Sequence, residues 1–121
     1  MKVGEFYTAE EVANKTAGND SYIRTKNNVV RGLAITLDKN PEAPNVIIVG
    51  DGVMIKKNAD LLRNTLYPVK TFLKHDTNKW KYVGRYKVIK YSKSSDIIEK
   101  NRKHREAKRI TGILFLEKKS D

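Results

Sequence analysis

Cysteine is absent from the 121-residue chain, which excludes disulfides, thiolate metal sites and a cysteine nucleophile. Histidine is nearly absent too: His75 and His104 are the only imidazoles. His75 falls in a polar turn. His104 falls in a basic run that supplies no metal partner, so both read as surface residues. Proline occurs three times, at Pro41, Pro44 and Pro68, and because it cannot donate to a ladder it marks loops and strand starts. No apolar run approaches the ~20 residues of a membrane span, and Met1-Lys2-Val3-Gly4-Glu5 has no hydrophobic signal core. The expectation is a cytoplasmic or nucleoid-associated protein with no membrane partner.

What the chain has in excess is positive charge, +11 at neutral pH. Thirteen basic side chains lie between Lys74 and Arg109 against four acids, so most of the excess sits in under a third of the chain. A solvated basic face kept for solubility is the plain reading. Interleaving of the block with aromatics favours a polyanion, above all nucleic acid. An anionic membrane fits less well, because no basic helix presents a broad apolar face.

The length suits one domain, residues 1–121, with an N-terminal helix and loop over 1–28. Thr8-Ala9-Glu10-Glu11 has the form of a capping box. It predicts a helix over 9–17, ended by Gly18 as a left-handed cap. Residues 19–28 are polar and read as a loop pinned by Tyr22 and Ile23. Residues 29–36 are β-branched enough for a strand, and 38–44 form a loop. Residues 45–50 make the most apolar strand, expected to be central and buried on both faces. Asp51-Gly52 reads as a tight turn tolerating positive φ. A helix over 57–64, capped by Asn58, then leads to a strand over 69–74 and a hairpin turn over 75–78. Ser94-Ser95-Asp96 caps a helix over 96–103, residues 110–116 form the last strand, and 117–121 are expected to fray. Residues 101–109 are basic enough for self-repulsion to leave part of them disordered without a partner. The fold class is α+β: a curved, mostly antiparallel sheet or open barrel with short flanking helices.

The focal stretch is residues 79–91, holding the only tryptophan, three of the six tyrosines and five basic residues. Period two places Trp80, Tyr82, Gly84, Tyr86 and Val88 on one face and Lys79, Lys81, Arg85 and Lys87 on the other. Gly84 signals a bulge, a bend or a close approach. The parity flips past Val88, which a bulge or the end of pairing near Ile89 would explain. Either the basic face meets a ligand while the aromatics pack in the core, or the strand twists at Gly84 and presents both.

Pro68-Val69-Lys70 followed by Tyr82-Val83-Gly84-Arg85-Tyr86-Lys87-Val88 resembles the paired strands of the SRA (YDG) domain, Pro-Val-Arg then Tyr-Asp-Gly-x-Tyr-x-Val. Val49-Gly50-Asp51-Gly52 resembles that family's Thr-Gly-x-Gly turn, and Asn58-Ala59-Asp60-Leu61-Leu62 its following helix. The likeness covers about residues 29–91. It implies a PUA-like barrel that binds duplex DNA and stacks a flipped, modified cytosine between aromatics, as in readers of modification-dependent restriction endonucleases. Tyr82 and Tyr86 would then lie in or beside the base pocket, Asp51 and Gly52 at its rim, and Lys79, Lys81, Arg85 and Lys87 near phosphates. Val83 replaces the namesake aspartate, and the acidic Gly-Gly-Tyr-x-Asp stretch has no counterpart before Val46. The resemblance therefore implies fold and DNA binding but not methylcytosine specificity.

Enzyme chemistry has weaker signals. Glu117-x-Lys119 with Asp96 upstream has the residue types of a nuclease metal site, but Asp96 serves better as a helix cap. Gly50-Asp51-Gly52 is too short for a phosphate loop and no Gly-Lys-Ser/Thr follows. The expectation is a non-catalytic domain without cofactor or metal that reads duplex DNA, with any nuclease carried by a separate chain. Its candidate binding residues are Asp51, Gly52, Lys79, Trp80, Lys81, Tyr82, Arg85, Tyr86, Lys87, Arg102, Lys103 and Arg105. An RNA-binding PUA-like module and a basic protein-interaction module remain the alternatives.

Overall fold

A computed structural model describes residues 1–17, 21–104 and 109–121. Its elements run β1 (Phe6–Tyr7), α1 (Ala9–Lys15), β2 (Ile23–Lys26), β3 (Val29–Thr36), β4 (Val46–Val49), α2 (Val53–Arg63), β5 (Val69–Asp76), β6 (Lys79–Ser92), α3 (Ser95–Arg102) and β7 (Gly112–Ser120). The strands form one seven-stranded sheet in the order β2-β3-β5-β6-β7-β4, with β1 paired to β6. Only the β3–β5 pairing is parallel. The sheet curls into a half-barrel with three short helices, the α+β architecture expected from the sequence.

Burial shows how the curl closes. Ile23 of β2 and Ile47 and Val49 of β4 stand at opposite ends of the strand order, yet they share one core with Leu33, Ile35, Leu73, Tyr86, Leu114 and Leu116. That face is the concave interior. Ala59 and Leu62 of α2 plug it, and Arg63 lies over the Tyr91 ring at 4.2 Å. The convex face carries two smaller cores. Val12 of α1 covers Ala34, Phe72, Trp80 and Tyr82, while Ile97 and Ile98 of α3 pack on Ile48, Ile113 and Phe115.

Strand β6 decides which side chain joins which core. Thr71 pairs with Gly84 but Phe72 with Tyr82, so Val83 is an extra residue and the strand bulges there. A second bulge leaves out Ile89, since Val88 pairs with Leu116 and Lys90 with Phe115. Of the alternatives open at Gly84 and near Ile89, a bulge forms at both. The single aromatic face does not survive the first one: Trp80 and Tyr82 turn to the convex side, Tyr86 and Val88 to the concave side. The cations split with them, because Lys79 and Lys81 share parity with Val83, whereas Arg85 and Lys87 alternate with Tyr86 and Val88.

The ladder corrects several local expectations. Residues 23–26 are not loop but strand β2. Asn27 and Asn28 both take positive φ (54° and 62°), the two-residue hairpin geometry that asparagine tolerates. Strand β4 is buried but terminal rather than central. An apolar run reports cover on both faces, not position in the ladder. Its outer amides are met by the preceding loop, Val46 N donating to Glu42 O at 3.1 Å and Ile48 N to Asn40 Oδ1 at 2.8 Å. Helix α2 starts at Val53, not residue 57, because its apolar stripe begins at Ile55. Gly52 caps it at φ −67°, and Asn58, expected as the cap, is inside and buried. Residues 117–120 do not fray: Glu117, Lys118 and Ser120 pair with Lys87, Tyr86 and Arg85, since the long β6 offers them a partner edge.

The capping box forms as expected, Glu11 N donating to Thr8 Oγ1 at 3.1 Å and Thr8 N to Glu11 Oε1 at 2.9 Å. Helix α1 ends at Lys15, with Thr16 as its cap; Gly18, the expected stop, lies outside the described residues.

Gly84 takes φ +114°, and a Cβ there would meet Ser120 O at 2.9 Å and Lys118 Cε at 2.7 Å. Gly84→Ala is expected to cost about 1–3 kcal/mol, read as a lower urea midpoint with an unchanged m-value. A midpoint equal to wild type would contradict the role of the bulge.

Candidate functional site

A cleft of about 810 Å³ opens where β3 and β4 run out and α2 begins, a size within the range of small-molecule sites. One wall is Trp80, with Ala34 and Ala9 beside it. Trp80 is only 8% exposed, because Tyr7 pairs opposite it and Phe72 and Tyr82 pack in its cluster. Ala9 is held there by its amide, which donates to Asn78 Oδ1 at 2.8 Å in the β5–β6 turn. The facing wall is Gly50, Asp51, Gly52 and Ile55, the junction of β4 with α2.

Three segments add charge at the mouth. Residues 38–40 project from the end of β3, where Asn40 is buried and its side chain accepts the Ile48 amide. Asp38 accepts the Lys39 amide at 3.0 Å. A hydrogen bond from the Thr36 side chain holds its carboxyl below the usual carboxylate range, with the Lys39 amide adding to the effect against partial desolvation. Arg109 is set over the cleft because Thr111 latches to the end of β4: its amide donates to Val49 O and its hydroxyl to Gly50 O, both at 2.8 Å. Asp51 lies 3.8 Å from both Lys56 and Arg109, so it orders cations at the rim. Tyr22 and Arg24 approach from β2 and its leading turn, and His104 from beyond α3, 3.8 Å from Glu42. The cleft thus offers an aromatic edge, an ionised acceptor at Asp38 and a rim of Arg24, Lys39 and Arg109.

Of the residues singled out in the sequence, the cleft gathers Asp51, Gly52 and Trp80. Tyr82 is 1% exposed in the convex core and Tyr86 lies in the concave core, so packing, one of the two roles left open for them, is theirs. Lys79 lies over the Phe6 ring at 4.6 Å, and Lys81 pairs opposite Phe6. Arg85 is exposed opposite Lys70, and Lys87 is half-buried opposite Glu117. Arg102 bonds Glu99 at 3.4 Å and Lys103 caps the end of α3 in solvent; Arg105 lies outside the described residues. Sequence reasoning missed Tyr22, Arg24, Asp38, Lys39 and Arg109 as cleft residues and set His104 aside. The one local signal was the clustering of Asp38, Lys39 and Asn40 directly after a strand. Glu117 and Lys119 pair with each other at 3.3 Å on β7. Among the described residues no group of three or more histidine, aspartate or glutamate side chains is arranged to hold a metal ion. No helix among them is long and apolar enough to cross a membrane.

Fold and site together define a curled-sheet α+β domain with a mixed-charge cleft at the open end of its strands. The chain belongs to the family described as a domain of unknown function, DUF6697, whose model matches residues 8–112. That span includes every residue lining the cleft. No curated protein and no solved structure matches the chain.

The core role of Tyr82 is open to direct test. Tyr82→Ala is expected to cost about 3–5 kcal/mol, as for other large aromatics removed from a core, measured by urea denaturation. A loss under about 1 kcal/mol, the scale of a non-core surface change, would contradict its placement.

Proposed function

We propose that this protein is a non-catalytic nucleic-acid-binding domain that takes a single base, extruded from duplex DNA, into the cleft. One observation carries the reading: an indole edge, an ionised carboxylate and three flanking cations converge in a cleft with ample room for a base, on a chain of net charge +11. Extruding a base costs a few kcal/mol. Stacking on an aromatic returns about 1–3 kcal/mol; the half-buried Tyr22 supplies aromatic lining for it, with the buried Trp80 contributing an edge to the same cleft. Asp38 suits the exocyclic amine of a cytosine or adenine, which donates to a carboxylate. Arg24, Lys39 and Arg109 suit the flanking phosphates. Val53 and Met54, exposed apolar residues in the first turn of α2 beside the mouth, suit the space an extruded base leaves in the stack. The resemblance of residues 29–91 to SRA domains supports the same function, although the cleft aromatics are not the tyrosines of the shared motif.

The test is a titration followed by the fluorescence of Trp80, the only tryptophan. It compares duplexes carrying cytosine, 5-methylcytosine, 5-hydroxymethylcytosine or N6-methyladenine with a matched RNA. The expected result is tighter binding to one modified duplex with a change in Trp80 emission. Equal affinity for every duplex would contradict an extruded base, and preference for RNA would move the site to an unpaired RNA base. Failure to bind any of them at moderate salt would sink the nucleic-acid reading.

Asp38→Asn is expected to cost about 1–3 kcal/mol of the discrimination for an extruded base with an exocyclic amine over thymine at the same position. Because the carboxyl is held below its usual range, the acceptor is ionised at neutral and mildly acidic pH. Discrimination should stay flat there and fall only as pH drops through that lowered pKa. A loss of discrimination already at neutral pH would contradict the role of Asp38.

A further inference from the structure

A second recess, about 550 Å³, lies at the opposite end of α1 from the cleft. Five cations line it: Lys15 at the end of α1, and one each from four consecutive strands of the sheet, Lys26 of β2, Arg31 of β3, Lys70 of β5 and Arg85 of β6. Among the described residues no aspartate or glutamate lines it. None of the five forms an ion pair with a described residue. Lys70 and Arg85 are direct partners across an antiparallel ladder, where like charges repel. Lys70 is held in place, its Nζ donating to Lys15 O at 3.2 Å, and Lys15 lies 5.3 Å from the Tyr7 ring centroid. Lys26, Arg31 and Arg85 are exposed. No described residue offsets this repulsion with an ion pair, and an anion laid across the strands relieves it.

We propose that this recess binds backbone phosphates of the nucleic acid whose base enters the cleft. The inference rests on the nucleic-acid reading above and adds a second contact region to it. The geometry suits one continuous ligand. Helix α1 has Ala9 at the cleft and Lys15 at the recess, roughly 10 Å apart at 1.5 Å per residue. Strand β3 runs from Val30 at the recess to Thr36 at the cleft, roughly 20 Å at the rise of an extended strand. With one phosphate per ~3.4 Å of axis on each strand, the recess meets phosphates about three to six nucleotides from the extruded base.

The test is the salt dependence of binding to an unmodified duplex, for which base recognition is not needed. The triple variant Lys26→Gln, Arg31→Gln, Arg85→Gln is compared with the control Lys90→Gln, Lys93→Gln, Lys100→Gln, exposed residues of the basic block over 74–109 that line neither recess nor cleft. Thermal melts check that both stay folded. The slope of log affinity against log salt is expected to shrink by about 2–3 in the recess variant, near 0.9 per lost phosphate contact, and to stay unchanged in the control. An unchanged slope in the recess variant, or equal losses in both, overturns the proposal. Recess-dependent binding to unmodified duplex without discrimination among bases keeps it while removing the base-reading role of the cleft. Wild-type protein that ignores the duplex but binds polyglutamate through these residues overturns it in favour of an acidic protein partner.

Discussion

One extra residue in one strand organises the molecule. Strand β6 is hydrogen-bonded to β1, β5 and β7, and the bulge at Val83-Gly84 reverses which side chains of that strand face inward. Without it, Trp80, Tyr82, Tyr86 and Val88 would crowd one face and leave the other to cations. With it, the first half of the strand supplies the convex core under α1 and the second half the concave core around α2. A left-handed backbone at Gly84 is the local cost, and two separately filled cores are the return. The bulge also brings Trp80 to the convex side with Ala34, where the end of β3 completes the cleft wall.

The functional surface follows from that division. Helix α1 has the cleft at one end and the cationic recess at the other. Polar chemistry concentrates where strands end: at Asp38 to Asn40 after β3, at Gly50 to Gly52 after β4, and at Arg109 before β7. Backbone and side-chain bonds from Asn40 and Thr111 hold these segments to β4, so the site is built on the scaffold rather than on free loops. The repulsion among Lys15, Lys26, Arg31, Lys70 and Arg85 contributes nothing to folding, which is why it reads as preparation for an anion.

Much of the fold was legible because local physics decides it. The Thr8–Glu11 capping box, the strand over residues 29–36 and the two irregular points of β6, at Gly84 and near Ile89, follow from residue type and parity alone. Strand β2 was hidden because Ile23 is its one fully buried residue and the rest of the segment is polar; the paired Asn27-Asn28 was its only mark. The terminal position of β4 was hidden because burial on both faces does not depend on ladder order. The site was less legible. Linear charge density pointed to residues 74–109, yet four of the five recess cations lie outside that block. They converge only through the parallel β3–β5 pairing and its neighbours. Asp38 and Arg109 are 71 positions apart in sequence, and only the latch of Thr111 to β4 places them around one cleft.

The central claim, that one nucleic-acid ligand spans the cleft and the recess along α1, is tested most directly by amide and indole chemical-shift mapping of the labelled protein with a short duplex. The account predicts shifts at the Trp80 indole, Gly50, Gly52 and Asp38, together with Lys15, Arg31 and Lys70. Shifts confined to α3 and the basic residues around it, with the cleft and recess silent, would contradict it.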